Sequence, residues 1–312
     1  MLRLGFAVRA LGRPGLRSHD PQRAAHLSIG LTHLGDMLTY LEQTAIRYYR
    51  LSGDLLPSDG TGHAQVAECQ EALDMLAQRL ARANTRLTLH LDASVALGNP
   101  DNALAAAGLA RIEELAALLG QLDAHRAAGI PESALIVHLG GTAGEAATFT
   151  RFAARYRALS PAAQQLLAVE HDGAGCSLGQ LLMLHERCGV AVVFDALHWQ
   201  LNNPERIPLD IALGLALATW PRGRRAEIHL SSARSEAHIV AKRASEPARV
   251  LPPRPGQHAD FVNVADLIRL LQAAQGLPPF DLMLEAKAGD LALFRLRDEL
   301  HRHAPVLASL LS

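Results

Sequence analysis

The sequence predicts an α/β fold, a single (β/α)8 barrel of the TIM type. Three observations carry that expectation. Short apolar runs alternate with stretches of helical spacing eight times along the chain. The 312 residues are a length that suits eight such units. Composition stays uniform from end to end, with no linker, so residues 1–312 read as one domain. A doubly wound sheet of similar size is the alternative topology.

Taken in order, residues 4–8 (LGFAV) read as a first strand. Residues 27–41 follow as a helix, with Ile29, Leu34, Met37, Leu38 and Leu41 at helical spacing. Residues 48–51 are a short second strand, and 63–80 a helix through Val66, Leu73, Leu76 and Leu80. A third strand at 87–91 precedes an alanine- and leucine-rich helix over 104–125, closed by Gly129 and Pro131. The fourth strand is 135–139, and the helix over 149–159 stops at Ser160-Pro161. After a fifth strand at 166–170, Ser177 opens a helix with Gln180 completing a capping box, and Gly189 ends it. Residues 190–195, VAVVFD, read as a sixth strand buried on both faces. A helix over 209–219, a seventh strand at 226–230, an Asn263-capped helix over 264–274, an eighth strand at 280–285 and a last helix over 290–301 complete the set. The stretch 231–261, with Pro247, Pro252, Pro253 and Pro255, is too long for an ordinary βα connection and reads as functional or mobile.

Composition narrows the function classes. A net charge of −1 gives no global attraction to polyanions, so any nucleic-acid binding has to rest on a local patch. With 49% hydrophobic and 20% charged residues, the chain can build a large core and remain water-soluble. Neither a membrane-spanning run nor a signal peptide is expected. Cys69, Cys176 and Cys188 lie far apart without a C-x-x-C pair, which fits a reducing cytosol and argues against a cysteine zinc site. A cytoplasmic monomer without a membrane or protein partner is therefore expected. Fifteen histidines are the compositional oddity.

Strands three to eight end in His90, His138, Glu170, Asp195, His229 and Glu285. His198 follows in the loop past Asp195, and His258 lies in the loop after strand seven. In a barrel these ends converge on the face where active sites are built. Imidazoles and carboxylates together suit zinc, manganese or iron, and each ion takes three or four protein ligands. Eight candidates are enough for two or three ions with one carboxylate bridging. Ions about 4 Å apart activate water and stabilise the leaving oxygen of a phosphoryl displacement. Metal-dependent hydrolysis is the reading, with sugar isomerisation on a similar barrel left open. Taken singly, His138 could be a core histidine, Glu285 an ion-pair partner of Lys287, and His258 an exposed loop residue. His19, His26, His33, His125, His185, His301 and His303 read as surface residues.

At these residues the chain resembles the UV damage endonuclease family, a metal-dependent DNA-repair group on a TIM-like barrel. The motifs that carry the likeness are RLGFAV, RYYRLSGDLLP at 47–57, VHLGG at 137–141, VEHD at 169–172, FDALHWQLNNP at 194–204, IHLSS at 228–232, HADF at 258–261 and LMLEAKAGDLALFRLR at 282–297. The family is similar in layout to the three-metal apurinic endonucleases. The resemblance implies that His90, His138 and Glu170 hold one ion, that Glu170, Asp195, His229 and Glu285 hold a second, and that His198 and His258 hold a third. Glu170, Asp195 and Glu285 would be the catalytic carboxylates. Two or three divalent ions are implied, manganese first, with zinc or magnesium as alternatives. The implied substrate is damaged double-stranded DNA, cut 5′ to a photolesion by in-line attack on phosphorus. The alternatives are a xylose-isomerase-like sugar isomerase or epimerase, and a metal-bearing barrel that binds DNA without cutting it.

The departures from the family pattern concern lesion reading. The family motif after the third strand is His-Pro-x-Gln-Tyr, and its Gln and Tyr probe the lesion. Here the stretch is His90-Leu91-Asp92-Ala93-Ser94. Ala143 replaces a tyrosine after HxGG, and His171 replaces an asparagine after the fifth-strand glutamate. Glu227 replaces a lysine that is carboxylated in the family, and His63 is left where a His-Pro segment is missing. Altered or weakened lesion recognition is therefore expected, with Trp199 or Leu97 as substitute wedges and Glu227 as a neighbour of the third ion. Arg9, Arg13 and Arg17, with Arg234, Lys242, Arg243, Arg249 and Arg254, are candidate phosphate contacts.

Overall fold

The computed structural model describes residues 2–18, 26–126, 130–240, 249–254 and 256–311. His19, Gly129, Lys242, Arg243, Pro247 and Pro255 lie outside the described residues. In chain order the strands are β1 (Leu4–Ala7), β2 (Tyr48–Leu51), β3 (Arg86–His90), β4 (Ala134–His138), β5 (Leu167–Glu170), β6 (Ala191–Asp195), β7 (Ala226–Leu230), β8 (His238–Val240), β9 (Arg249–Leu251) and β10 (Phe280–Leu284). Eight of them close a parallel barrel in the order β1-β10-β7-β6-β5-β4-β3-β2. Closure runs through β1 and β10, with Leu4 opposite Leu282 and Phe6 opposite Leu284. β8 and β9 form a separate antiparallel ribbon within the segment after β7.

The helices are α1 (Leu27–Gln43), α2 (Gly62–Glu68), α3 (Gln70–Ala83), α4 (Asn102–Leu122), α5 (Ala146–Ala158), α6 (Pro161–Leu166), α7 (Leu178–Cys188), α8 (Ala196–Leu201), α9 (Leu209–Ala218), α10 (Val264–Ala273), α11 (Asp290–His303) and α12 (Pro305–Ala308). Their apolar stripes, such as Leu31, Leu34 and Leu38 of α1 and Leu115, Leu118 and Leu119 of α4, are buried. Each such side chain contributes about 1.5–3 kcal/mol relative to exposure. Among the described residues no helix is long and apolar enough to cross a membrane.

Three departures from the sequence pattern have local causes. The helix expected over 63–80 breaks at Cys69, where the Gln70 side chain takes the Val66 carbonyl at 2.9 Å and interrupts the ladder. A further helix, α6, follows the Ser160-Pro161 stop, because Ser160 caps it and Pro161 occupies its first turn. The loop expected after β6 is α8: Asp195 caps it by accepting the His198 N–H at 2.6 Å, which puts His198 on a helix. The Ser177–Gln180 capping box, the left-handed Gly189 and the Asn263 cap occur as expected.

The lower barrel is ionic where branched aliphatics would ordinarily fill it. Arg86 is fully buried, donates to Ala226 O at 3.2 Å and Asp281 Oδ2 at 3.0 Å, and lies over the Tyr48 ring at 5.2 Å. Arg3 clamps the same end, hydrogen-bonding Glu132 at 2.8 and 3.2 Å. This face holds the barrel together and leaves the opposite face for chemistry.

Candidate metal centre

The strand ends bring the expected side chains together around Glu170, the last residue of β5. His90 Nε2 lies 2.7 Å and His138 Nε2 3.9 Å from its Oε2. His229 Nδ1 lies 3.1 Å and His198 Nδ1 3.2 Å from its Oε1. Among the described residues two groups have donor atoms within 4.8 Å of one another: His90, His138 and Glu170, and Glu170, Asp195, His229 and Glu285. Glu170 belongs to both. His198 and His258 stand on the rim with rings 6.3 Å apart, and His258 Nδ1 is 3.7 Å from Glu285 Oε2.

The chemistry of this donor set fits divalent ions. A ligating histidine needs its other nitrogen committed elsewhere, so that its lone pair faces the ion. His90 Nδ1 is 3.0 Å from Leu91 O, and His198 Nδ1 is 2.8 Å from His171 O. His138 Nδ1 faces Asp172 Oδ1 at 2.8 Å, and His229 Nε2 faces Glu227 Oε1 at 3.0 Å. Glu170 Oε1, Asp195 Oδ2 and His229 Nδ1 are buried, close to one another's groups, yet lack hydrogen-bond geometry. Buried polar atoms left in that state are costly unless another partner binds them.

The charges are strongly coupled. Burial opposes ionisation of Glu170, but the His229 charge, the close His198 imidazole and the His90 hydrogen bond hold its carboxyl well below the usual range. Burial, reinforced by Glu170 and Glu285, pushes the Asp195 carboxyl up to about 6. Burial would lower the His229 imidazole, but Glu170 and Glu285 drive it up to about 10. The excess of buried carboxylate is what a bound cation would balance.

Backbone geometry lets the loops reach the site. Gly140 and Gly141, directly after His138-Leu139, have φ of 66° and 79°. A Cβ on Gly140 would stand 2.3 Å from that of Ala96. The two glycines thus let the β4 and β3 loops pack together. A cleft of about 610 Å³ opens beside the centre, lined by Ala93, His138, Asp172, His198 and Leu201 among others. A second, of about 580 Å³, opens on the other side, over Arg50, His258, Glu285 and Lys287.

The expectations for Glu227 and for the wedge residues need correction. Glu227 lies one step down β7 from His229, so it reaches the layer beneath the centre. Its polar contacts are with His229, Arg50 at 3.3 Å, Thr88 Oγ1 at 3.5 Å and Arg86 at 3.9 Å, and not with His198 or His258. Trp199 is half-buried: its indole N–H donates to Ile207 O at 3.0 Å and its ring lies 6.4 Å from that of Phe194. Leu97 is fully buried. Neither is placed to enter a duplex. His63 is exposed on α2, outside both donor groups. Arg9, Arg13, Arg17, Arg249 and Arg254 are exposed and Arg234 is half-buried, with Arg13 held by Gln43 Oε1 at 2.9 Å.

Two residues at the centre escaped the sequence reading. Arg50, at the end of β2, pairs with Glu285 and places NH2 2.6 Å from His229 Nε2. The strand-end criterion counted only His, Asp and Glu, and so passed over it. Asp172 lies two residues past the strand-end Glu170, much as His198 lies three past the strand-end Asp195, and that likeness was the available signal. His171, noted only as a departure, is fully buried and accepts the Asp195 N–H at 3.0 Å. Burial pulls its imidazole down to about 3, so it is a neutral strut.

Residues 23–309 match the model of a family described as UV-endonuclease UvdE. A UV DNA damage endonuclease of Bacillus velezensis is 29% identical over 192 residues, covering 61% of this chain and 54% of the relative. A UV-damage endonuclease of Neurospora crassa is 28% identical over 291 residues, covering 86% of this chain and 40% of the relative. The chain thus spans about half or less of these relatives' lengths. A solved structure described as SacUVDE superposes with a TM-score of 0.79 at 20% identity, covering 97% of this chain and 99% of that one. An L-ribulose 3-epimerase superposes with a TM-score of 0.56 at 17% identity, over 92% of this chain and 82% of that one. At these identities the two structural likenesses speak for the fold alone.

Proposed function

The chain belongs to the UV-endonuclease UvdE family, and from that premise we propose that it is a metal-dependent endonuclease that nicks damaged double-stranded DNA on the 5′ side of a lesion. The observation that carries the reading is the position of Glu170 in both donor groups, which would let one carboxylate serve two ions. His90 and His138 would complete one site and Asp195, His229 and Glu285 the other, with His198 and His258 available at the rim. Bound there, divalent ions would activate water and offset charge on the scissile phosphate and leaving oxygen. Manganese suits this mixed imidazole and carboxylate set, with zinc or magnesium as alternatives.

The chain's own groups prepare the site. Arg50, beside Glu285 and Glu227, offsets part of their charge. Asp172 and Glu227 orient the His138 and His229 rings. Exposed Arg9 and Lys287 stand at the rim, where phosphates of a bound strand would pass. Neither cleft beside the centre has a Trp or Phe among its lining residues, which favours a nucleic-acid backbone over a stacked sugar ring. We place the protein in the cytoplasm as a monomer.

The test is incubation of purified protein with Mn²⁺ and end-labelled duplexes carrying a photodimer, an abasic site or no lesion. A nick 5′ to damage, abolished by chelation and by Glu170→Gln, is the expected result. No cleavage by metal-replete protein would reduce the reading to a DNA-binding barrel.

A further inference from the structure

The segment after β7 supplies His258, yet it is built as an arm. At its base, Arg234 N–H donates to Gln257 O at 2.8 Å and Ala259 N–H to Ser232 O at 2.9 Å, with Ala233 bridged to His258. The returning strand is tied on its other side to the loop after β10, through Lys287 N–H to Ala259 O at 3.2 Å and Ala288 N–H to Asp260 O at 3.0 Å. The arm is therefore rooted between His258 and the loop that carries Glu285.

Beyond that base, β8 and β9 pair with Ile239 directly opposite Val250. Opposed residues in a ladder share a face. Here they are 76% and 67% exposed, and Leu251 on the other face is 41% exposed. A two-stranded ribbon that turns paired β-branched residues to water has no folding reason to do so, since exposed strands ordinarily carry charges or proline there. The described surroundings carry a cationic excess: Arg249 and Arg254 are exposed and Arg234 is half-buried, against Glu236 and Asp260 nearer the base. Exposed Lys287 and Arg9 continue that positive border across the metal face. A second copy of the chain would bring these arginines against their own kind. A duplex complements both features, with phosphates for the arginines and a base step for the apolar pair.

Resting on the nuclease reading, we infer that the β8–β9 ribbon is a duplex probe whose Ile239 and Val250 enter a base step weakened by damage. From Ala233 to Ile239 an extended strand reaches up to about 20 Å. That spans about six base steps at roughly 3.4 Å each, so a lesion near the scissile phosphate lies within reach. Entry requires unstacking, which is easiest where the stack is already broken, and this makes the ribbon selective for distortion.

The experiment measures binding of the full chain in EDTA, so that no cleavage intervenes, to duplexes with and without an abasic site flanked by 2-aminopurine. The unmodified protein should prefer the abasic duplex by about tenfold and raise the 2-aminopurine emission. Ile239→Ser with Val250→Ser should lose both, with an unchanged melting temperature. Ile239→Phe, a larger wedge, should raise the emission further. Retention of preference and emission by the double variant, or no response to Ile239→Phe, overturns the inference. So does a dimer that the double variant dissolves in size-exclusion chromatography, because the ribbon would then be a self-interface. Failure of the unmodified protein to bind either duplex overturns the ribbon inference, whereas the nuclease reading stands or falls on cleavage by the Mn²⁺-loaded protein.

Discussion

Glu227 Oε1 lies 3.0 Å from Nε2 of His229, while Nδ1 of the same ring lies 3.1 Å from Glu170. Each nitrogen of one imidazole thus faces its own carboxylate, one beneath the centre and one within it. Arg50 NH2 stands 2.6 Å from that same Nε2 and can only donate, so it competes with a protonated Nε2. When Nδ1 gives its lone pair to an ion, the proton must sit on Nε2, and Glu227 is the group that accepts it.

Glu227→Gln should therefore weaken binding of the second ion by about 10–100-fold, the usual cost of losing the carboxylate behind a ligating histidine. Titration of metal-free protein with Mn²⁺, followed by electron paramagnetic resonance, reads this without any assay of cleavage. An unchanged second affinity would leave Glu227 as a counter-charge for Arg50 and Arg86 alone. In that case Glu227→Ala should still lower stability by about 3–5 kcal/mol, because two buried guanidinium groups lose a partner.

Metal content separates the carboxylates. Metal-replete protein should carry at least about two divalent ions per chain, because two donor groups are assembled. Glu170→Gln should bring that below about one, whereas Asp195→Asn should cost a single ion. Elemental analysis after dialysis decides it, and equal losses from the two variants would remove Glu170 from its bridging role.

How much of this could be read from the sequence depends on whether a residue acts through its own strand or across the barrel. All eight barrel strands stood out as apolar runs bounded by Gly, Pro or polar residues. The ligand candidates stood out because a barrel gathers strand ends whatever the loops do. Arg50 did not, since its contact with His229 joins β2 to β7, strands that do not pair and lie 179 residues apart in sequence. Trp199 read as a substitute wedge, but a hydrogen bond to Ile207 ties it to the scaffold. The three-residue strands β8 and β9 are too short for any alternation to show, so the ribbon was visible only as a long proline-containing stretch.

At the opposite face the Arg3–Glu132 pair gives a pH signature. Burial pushes the Glu132 carboxyl up, but the two hydrogen bonds from Arg3 and the charges of Arg3 and Arg126 outweigh it, leaving the group below its ordinary value. A carboxyl lowered in the folded state contributes stability above its unfolded pKa and loses it as pH falls through the folded one. Glu132→Gln should lower the melting temperature by roughly 2–4 °C at pH 7. That gap should close as pH drops below about 4. A gap that stays constant across this range would mean that packing, not charge, accounts for it.

The last expectation concerns which lesion is cut. Ala93 lines the cleft beside His138 and His198, and Asp92, Ala93 and Ser94 are all exposed, so the stretch after β3 faces the substrate side. Ala93 and Ser94 are too short to fill the gap left by an extruded base, and Trp199 and Leu97 are turned inward. Leu201, 39% exposed and lining the same cleft, can occupy space but has no face on which a base could stack. Stacking on an aromatic is worth about 1–3 kcal/mol per base. Its absence should leave a metal-dependent nickase that senses distortion and scarcely separates a photodimer from an abasic site. Ala93→Gln with Ser94→Tyr should raise photodimer cleavage relative to abasic cleavage by about tenfold, since about 1.4 kcal/mol is a factor of ten. Competition between two differently labelled duplexes in one reaction gives that ratio directly. If the unmodified chain already prefers the photodimer strongly, and the double substitution leaves the ratio where it was, then recognition resides outside the stretch after β3.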